Sequence, residues 1–189
     1  TYAVLDKVAQ DKIPMVTIGY GRTDAGDGRV FPWVFPMLTN YWSQSTAKIK
    51  FIGQREGGMD KLKGKKIVHI YHDSAYGKET IPLLDAQSKK YGFSVTHVPV
   101  AHPGNEQQSQ WLKVRQEKPD WVILRGWGVM NPTAIKAAAK IGFPRDKIVG
   151  VWWAGAEEDT IPAGDAAKGF IAAGFNVAGA NYPVVKSIQ

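Results

Sequence analysis

The fold is decided by four short apolar stretches, whose equivalent positions 67, 94, 121 and 148 lie 27 residues apart. The stretches are Ile67–Tyr71, Phe93–Val98, Trp121–Leu124 and Ile148–Trp152. Short runs of β-branched and aromatic residues are typical of buried strands. A spacing of 27 residues leaves room for a strand, a helix and two short loops. The pattern therefore predicts a repeated β–α unit.

Helix signals fill the segments between these strands. Apolar side chains recur on one helical face over 76–91, where Asp73 or Ser74 can cap the start and Gly92 the end. The same signals predict helices over 106–117 and 132–141, the second with Asn131 as its N-cap and Gly142 as its C-cap. Alternating strands and helices predict an α/β fold, a Rossmann-like doubly wound parallel sheet with helices on both faces.

Further elements flank this unit. Residues 2–12 predict a helix, 15–18 a strand, and 40–54 another helix, while 169–173 predict a last strand. The first residues include no initiating Met and no basic leader, so we expect a fragment or a processed product.

Composition narrows the function classes. The chain has 189 residues, a net charge of +7 and no cysteine, which excludes disulfides and thiolate metal sites. Its lysines are scattered among acidic residues, so the charge indicates a solvated basic face rather than a nucleic-acid site. The sequence contains no run of eighteen apolar residues, so we expect no membrane insertion.

Aromatic residues follow the predicted strands where a ligand would bind. In an open parallel sheet, ligands lie beyond the carboxyl ends of the strands, where the strand order reverses. With the order 2-1-3-4, Tyr76 and Trp127 would face one crevice, with Trp152 or Trp153 alongside. Neighbouring residues of a strand face opposite ways, so the pattern does not choose between the two tryptophans. Aromatic rings suit a ligand pocket, although they could also simply cover the end of the sheet.

Other motifs are weaker. The Gly19–Gly21 loop follows a strand, but it does not have the full dinucleotide spacing; its amides could hold a carboxylate instead. The run His72–Ser74 holds the residue types of a catalytic triad, but neighbours in sequence do not form one, and its last two residues are better read as helix caps. Glu157–Asp159 is more typical of a helix start than of a cation site. We therefore expect no catalysis, no metal and no cofactor.

Three segments resemble a known family. Ile70–Gly77 (Ile-Tyr-His-Asp-Ser-Ala-Tyr-Gly) resembles the start of the second lobe in branched-chain amino acid-binding proteins, the periplasmic solute-binding components of ABC importers. The turn Gly164–Gly169 and the segment Lys12–Val16 resemble other parts of that family. The resemblance implies a type I periplasmic binding protein, with two Rossmann-like lobes joined by a hinge and a small molecule held between them.

The resemblance also implies an organisation and partners. It assigns 1–53 to a remnant of the first lobe and its crossover helix, 54–175 to the second lobe, and 176–189 to the start of the return to the first lobe. It implies a small-molecule ligand, a membrane permease as partner, and a periplasmic location, or an extracellular, lipid-anchored one for the full-length form.

Site residues carry over by position. The loop around Tyr20 and Gly21 would meet the carboxylate of the ligand, and Tyr76 and Trp127 would meet the ligand from the second lobe. Amino-acid binders of the family place an acidic residue after the fourth strand, where this chain has Trp152 or Trp153. A buried ammonium needs a charged or multiply hydrogen-bonded partner, whereas a tryptophan offers a ring face. The sequence thus favours an aromatic or other hydrophobic carboxylic acid over branched-chain or aromatic amino acids.

The sequence was also weighed against three other functions. A ligand-sensing domain of a regulator or receptor would use the same fold. A nucleotide enzyme would need the glycine fingerprint, and a response-regulator-like domain would need acidic residues at the strand ends. Aromatic residues occupy those ends instead.

Overall fold

A computed structural model describes residues 2–17, 21–175 and 181–188. Its strands are β1 (Met15–Thr17), β2 (Val34–Pro36), β3 (Lys66–His72), β4 (Ser94–Val100), β5 (Trp121–Arg125), β6 (Ile148–Gly150) and β7 (Ile171–Ala172). Its α-helices are α1 (Leu5–Asp11), α2 (Tyr41–Arg55), α3 (Ala75–Lys78), α4 (Ile81–Tyr91), α5 (Gln108–Glu117), α6 (Met130–Lys140), α7 (Glu157–Thr160) and α8 (Pro183–Lys186).

The α/β fold predicted from the repeat is confirmed. One sheet has the strand order β4-β3-β5-β6-β7, which is the order 2-1-3-4 assumed from the sequence, continued by one strand. The strands β5, β6 and β7 pair in parallel, with Val122 opposite Ile148 and Val149 opposite Ile171. The strands β1 and β2 form a separate parallel pair. The strand order therefore reverses between β3 and β5, at the point that the sequence predicts.

The chain divides into two compact units. The first comprises 1–67 and 73–97, and the second comprises 68–72 and 98–189. This division follows compactness and does not test the predicted lobe boundaries after residues 53 and 175, which stay predictions.

The second unit has an apolar core made by its strands and the helices α5 and α6. Trp111 and Val114 of α5 are buried in it, as are Met130 and Ala134 of α6. Strand residues of the same cluster include Val68, Ile70, Val98, Val100, Val122, Leu124 and Ile148. Each such side chain contributes about 1.5–3 kcal/mol when fully buried. This core fixes the sheet whose carboxyl end carries the candidate site.

Helix boundaries follow local signals, with two corrections. The Ser74 hydroxyl accepts a hydrogen bond from the Gly77 amide at 3.3 Å, and Gly92 ends α4 in the left-handed region with φ 75°, as predicted. The predicted helix 76–91 is two helices, α3 and α4, and Pro82 lies in the first turn of α4, where its missing N–H costs nothing. The helix predicted over 132–141 begins earlier, at Met130, so Asn131 is not its N-cap.

Candidate functional site

The candidate site lies at the carboxyl end of the second unit's sheet. β3 ends at His72, β5 ends at Arg125, and β6 ends at Gly150. Because β3 and β5 are neighbours in the sheet while their connection passes through β4, the order reverses between them. A reversal of this kind leaves a crevice in which open α/β sheets bind their ligands.

Three aromatic rings meet at this reversal. The ring of Trp127 lies 5.5 Å from that of His72 and 5.8 Å from that of His102, centroid to centroid. The rings of Trp127 and His102 are nearly parallel, at 29°. Nε2 of His72 lies 3.2 Å from Nδ1 of His102, a hydrogen-bonding distance. We call these three residues the ring cluster.

The ring cluster has a buried base and an exposed rim. His72 is 5% exposed, whereas Trp127 is 46% exposed and His102 is also exposed. A large aromatic side chain that remains half exposed beside two polar rings offers a flat surface to a solute. Sequence reasoning found Trp127 but missed both histidines, because they were considered only as catalytic or metal-binding residues. His72 ends β3, one of the two strands between which the order reverses, and this position could have indicated a place at the site.

Glycines allow Trp127 to project from the end of β5. A Cβ on Gly126 would lie 2.6 Å from Oδ1 of Asn131 and 3.0 Å from Cγ of Met130, so only glycine fits this close approach to α6. Gly128 has φ +56°, in the left-handed region. The chain therefore turns sharply from β5 into α6 and leaves the intervening Trp127 outside the core.

A buried glutamine holds the loop that carries His102. Nε2 of Gln107 donates to the carbonyl oxygens of Gly104 at 2.7 Å and Met130 at 2.9 Å. Its Oε1 accepts a hydrogen bond from the indole N–H of Trp111 at 3.1 Å. A Cβ on Gly104 would lie 2.6 Å from Cβ of Met130, so the loop touches the start of α6. The start of α6 at Met130 also follows Trp127 closely, so the hydrogen bonds of Gln107 hold the segments that carry both His102 and Trp127.

Trp152 and Trp153 lie in a turn rather than in a strand. β6 ends at Gly150, and residues Trp152–Ala154 form a 3₁₀ helix, so the predicted strand Ile148–Trp152 is too long. A Cβ on Gly150 would lie 2.8 Å from the ring of Phe170, which explains why glycine occupies the last strand position. The prediction that the two tryptophans share a strand is therefore wrong, and the alternation of side chains along a strand does not apply to them.

The two tryptophans are half-buried and pack differently. Their ring centroids are 6.4 Å apart with an edge-to-face angle of 65°. The ring of Trp152 also packs on Phe175, with centroids 4.9 Å apart. Both remain candidate ligand contacts.

A buried amide anchors this turn. Asn131 is fully buried, and its Nδ2 donates to Oδ1 of Asp159 at 2.8 Å and to the carbonyl oxygen of Trp153. Oδ2 of Asp159 accepts a hydrogen bond from the Ala156 amide at 3.3 Å, at the start of α7. The acidic run thus begins a helix, as the sequence predicts. Burial raises the pKa of Asp159, and the hydrogen bond from Asn131 opposes that rise.

The remaining predicted site residues belong to the first unit. The carbonyl oxygen of Gly21 accepts a hydrogen bond from the Tyr41 amide at 2.7 Å. The Tyr41 ring meets the Tyr76 ring edge to face, with centroids 5.2 Å apart. Tyr41 therefore links Gly21 to Tyr76, whereas Tyr20 lies outside the described residues. Because Tyr76 and Trp127 fall in different units, their shared crevice stays a prediction.

Two further contacts connect the same parts of the first unit. The Glu79 carboxylate accepts a hydrogen bond from the Thr23 amide at 2.8 Å, and the indole N–H of Trp42 donates to the Glu79 carbonyl at 2.9 Å. The loop after Gly21 is thereby held against the segment that follows Tyr76. The Asp73 carboxylate pairs with Lys78 at 2.7 Å and the Ser74 hydroxyl accepts from the Gly77 amide, so these two residues of the apparent triad have structural partners in α3.

Neither a metal-binding cluster nor a membrane-spanning helix occurs within residues 2–17, 21–175 and 181–188. No group of three or more His, Asp or Glu residues in these ranges could hold a metal ion. No helix in the described part of the chain is long and apolar enough to cross a membrane.

An α/β sheet with this strand order defines a Rossmann-like class of fold. Comparison with protein families is more specific: the model of the family described as periplasmic binding protein matches residues 1–189. The chain belongs to that family. No curated protein sequence matches it.

Solved structures share the fold. A structure described as an ABC transporter permease from the Pseudomonas fluorescens group is 50% identical, with a TM-score of 0.92 over 98% of this chain and 45% of that chain. A branched-chain amino acid ABC transporter from Thermus thermophilus with bound valine is 18% identical, with a TM-score of 0.82 over 98% and 47% of the two chains. A solute-binding protein of an R. palustris ABC transporter in complex with benzoate is 21% identical, with a TM-score of 0.80 over 98% and 49%. The chain thus spans about half the length of these structures.

Proposed function

We propose that this chain is part of the extracytoplasmic solute-binding component of an ABC importer, and that its solute is a small hydrophobic or aromatic carboxylic acid. Branched-chain and aromatic amino acids are the second choice. The protein would hand the solute to a membrane permease and catalyse no reaction. The observation that carries the proposal is the ring cluster, which places a half-exposed indole at the reversal of strand order.

The shape of the cluster favours a flat solute. Offset stacking of aromatic rings contributes about 0.5–1.5 kcal/mol beyond the area that the rings bury. Trp127 already lies nearly parallel to His102, so a planar ligand ring on the exposed indole face would extend the same stack. An unbranched polar solute would gain little from that face.

Charges near the turn after β6 favour an acid over an amino acid. A buried ammonium group needs a charged or multiply hydrogen-bonded partner, and a carboxylate is the strongest of these. In this turn the first two acidic residues, Glu157 and Glu158, are exposed in α7, and the third, Asp159, already holds Asn131. Two tryptophans precede them. Similar folds support both solute classes, since one neighbour has bound valine and another has bound benzoate.

A thermal-shift comparison on the intact protein tests the proposal. Ligand at about 100 times its Kd stabilises a native protein by about 2.7 kcal/mol. We expect benzoate to raise the melting temperature clearly more than leucine does at equal concentration. Equal shifts, or a larger shift with leucine, would remove the preference for acids. No shift with either compound, or with other small acids and amino acids, would remove the solute-binding proposal itself.

A further inference from the structure

The ring cluster contains a polar group that the proposed site does not use. His102 is exposed, yet its Nδ1 is held 3.2 Å from Nε2 of the buried His72. We propose that His102, oriented by His72, donates its Nε2–H to the carboxylate of the bound acid while Trp127 stacks on the acid's apolar part. This inference rests on the proposed function and names the group that recognises the acid.

Imidazole chemistry connects the two histidines to a carboxylate. A neutral imidazole carries one N–H, and the hydrogen bond at one nitrogen decides which nitrogen is protonated. When Nε2–H of His72 donates to Nδ1 of His102, the proton of His102 must lie on its Nε2. That nitrogen is on the opposite side of the ring from His72. In this tautomer the buried histidine makes the exposed one an outward hydrogen-bond donor.

The charge of an acidic ligand favours this tautomer. Arg125 ends β5 two residues before Trp127, and its side chain is fully buried. The chain as a whole carries a net charge of +7. The net positive charge attracts anions to the protein, and because an ionised carboxylate only accepts hydrogen bonds, a donor towards the solute is more favourable than an acceptor.

The cluster also restricts the position of His102. Its ring stacks on Trp127 at 29° and 5.8 Å, and its loop is held by the hydrogen bond from Gln107 to Gly104. A donor fixed on two sides loses little side-chain entropy on binding, so more of its hydrogen-bond energy appears as affinity. Loss of such a hydrogen bond to a charged group lowers an affinity about tenfold or more.

Calorimetry with a matched pair of ligands tests the inference. Benzoate and benzyl alcohol share the aromatic ring, but only benzoate carries a carboxylate, so the ratio of their affinities reports its recognition. The intact wild-type protein is compared with His102→Phe, which keeps a ring for Trp127 but removes the donor, and with His102→Gln, whose Nε2 can still donate. His97→Gln is the control, since His97 lies in the first unit and pairs with Asp85 at 3.0 Å.

We expect His102→Phe to lower the affinity for benzoate about tenfold or more and to leave that for benzyl alcohol nearly unchanged. His102→Gln should retain part of the preference, and His97→Gln all of it. His72 is a positioning residue, so His72→Phe should reduce the affinity ratio, and His72→Gln, which can still donate to His102, should restore part of it. A purely structural role of His72 would lower both affinities equally.

The outcomes separate this inference from the proposed function. If the wild-type protein binds benzoate and His102→Phe keeps the affinity ratio, the inference is wrong and the solute-binding proposal stands. If Tyr20→Phe lowers the ratio while His102→Phe does not, the carboxylate is recognised by the loop before Gly21, which also overturns the inference. If the wild-type protein binds no acid, the proposed function fails together with it.

Discussion

Replacing Asn131 by alanine tests how the site is built. The buried Asn131 amide joins three parts of the second unit: helix α6, the carbonyl of Trp153 and the carboxylate of Asp159. Its loss removes one hydrogen bond to a neutral acceptor, about 0.5–1.5 kcal/mol, and one to an ionised group, about 1.5–3 kcal/mol. Alanine has the higher helix propensity, which returns about 0.5 kcal/mol. We therefore expect Asn131→Ala to lower the free energy of unfolding by about 1.5–4 kcal/mol.

Urea unfolding of the intact protein, followed by tryptophan fluorescence, measures this loss. Asn105→Ala is the matched control, because Asn105 is exposed and its truncation should change stability by less than about 0.5 kcal/mol. Asn131→Ala should also weaken benzoate binding, since the turn that carries Trp153 loses its anchor. If the two variants are equally stable, the anchoring role of the buried amide is refuted.

Three other perturbations follow from the same contacts. Gly126→Ala should destabilise the protein by about 1–3 kcal/mol in urea unfolding, because its Cβ would press on α6. Gly28→Ala is the control, since Gly28 has open space around it and its replacement should not destabilise the protein. Equal effects of the two variants would contradict the packing described. Trp127→Ala should weaken benzoate binding about tenfold or more by calorimetry, whereas Leu112→Ala, which removes another exposed apolar side chain, should leave it unchanged. Burial raises the pKa of Asp159, so its stabilising contribution is full below the unfolded pKa and is lost as pH rises through the folded pKa. The stability of the wild-type protein relative to Asp159→Asn should therefore increase as pH falls from 7 towards 4 in urea unfolding, and the opposite trend would refute this.

The strands of the repeat could be predicted because they depend on local patterns, whereas their order 2-1-3-4 was assumed. Each of the four β stretches is rich in β-branched and aromatic residues, and their regular spacing indicates a repeated unit. The caps at Ser74 and Gly92 are also local, since each acts within three or four residues. Because Trp127 follows the end of β5 directly, the strand boundaries and the order 2-1-3-4 together place it at the reversal of strand order.

The rest of the site depends on contacts between residues distant in sequence. His72 and His102 are 30 residues apart, and Asn131 and Asp159 are 28 apart. Asn131 has the residue type and position of a helix cap, and only its buried partner shows its different role. Glycine occupies position 150 at the end of β6 because Phe170, twenty residues on, packs where a side chain would lie. Single-sequence patterns do not contain these pairings.

A co-crystal structure of the intact protein with benzoate tests the central claim most directly. We predict electron density for the benzoate ring on the exposed face of Trp127, with a carboxylate oxygen within about 3.2 Å of Nε2 of His102. Benzoate bound elsewhere in the protein, with Trp127 covered by another part of the chain, would contradict the account.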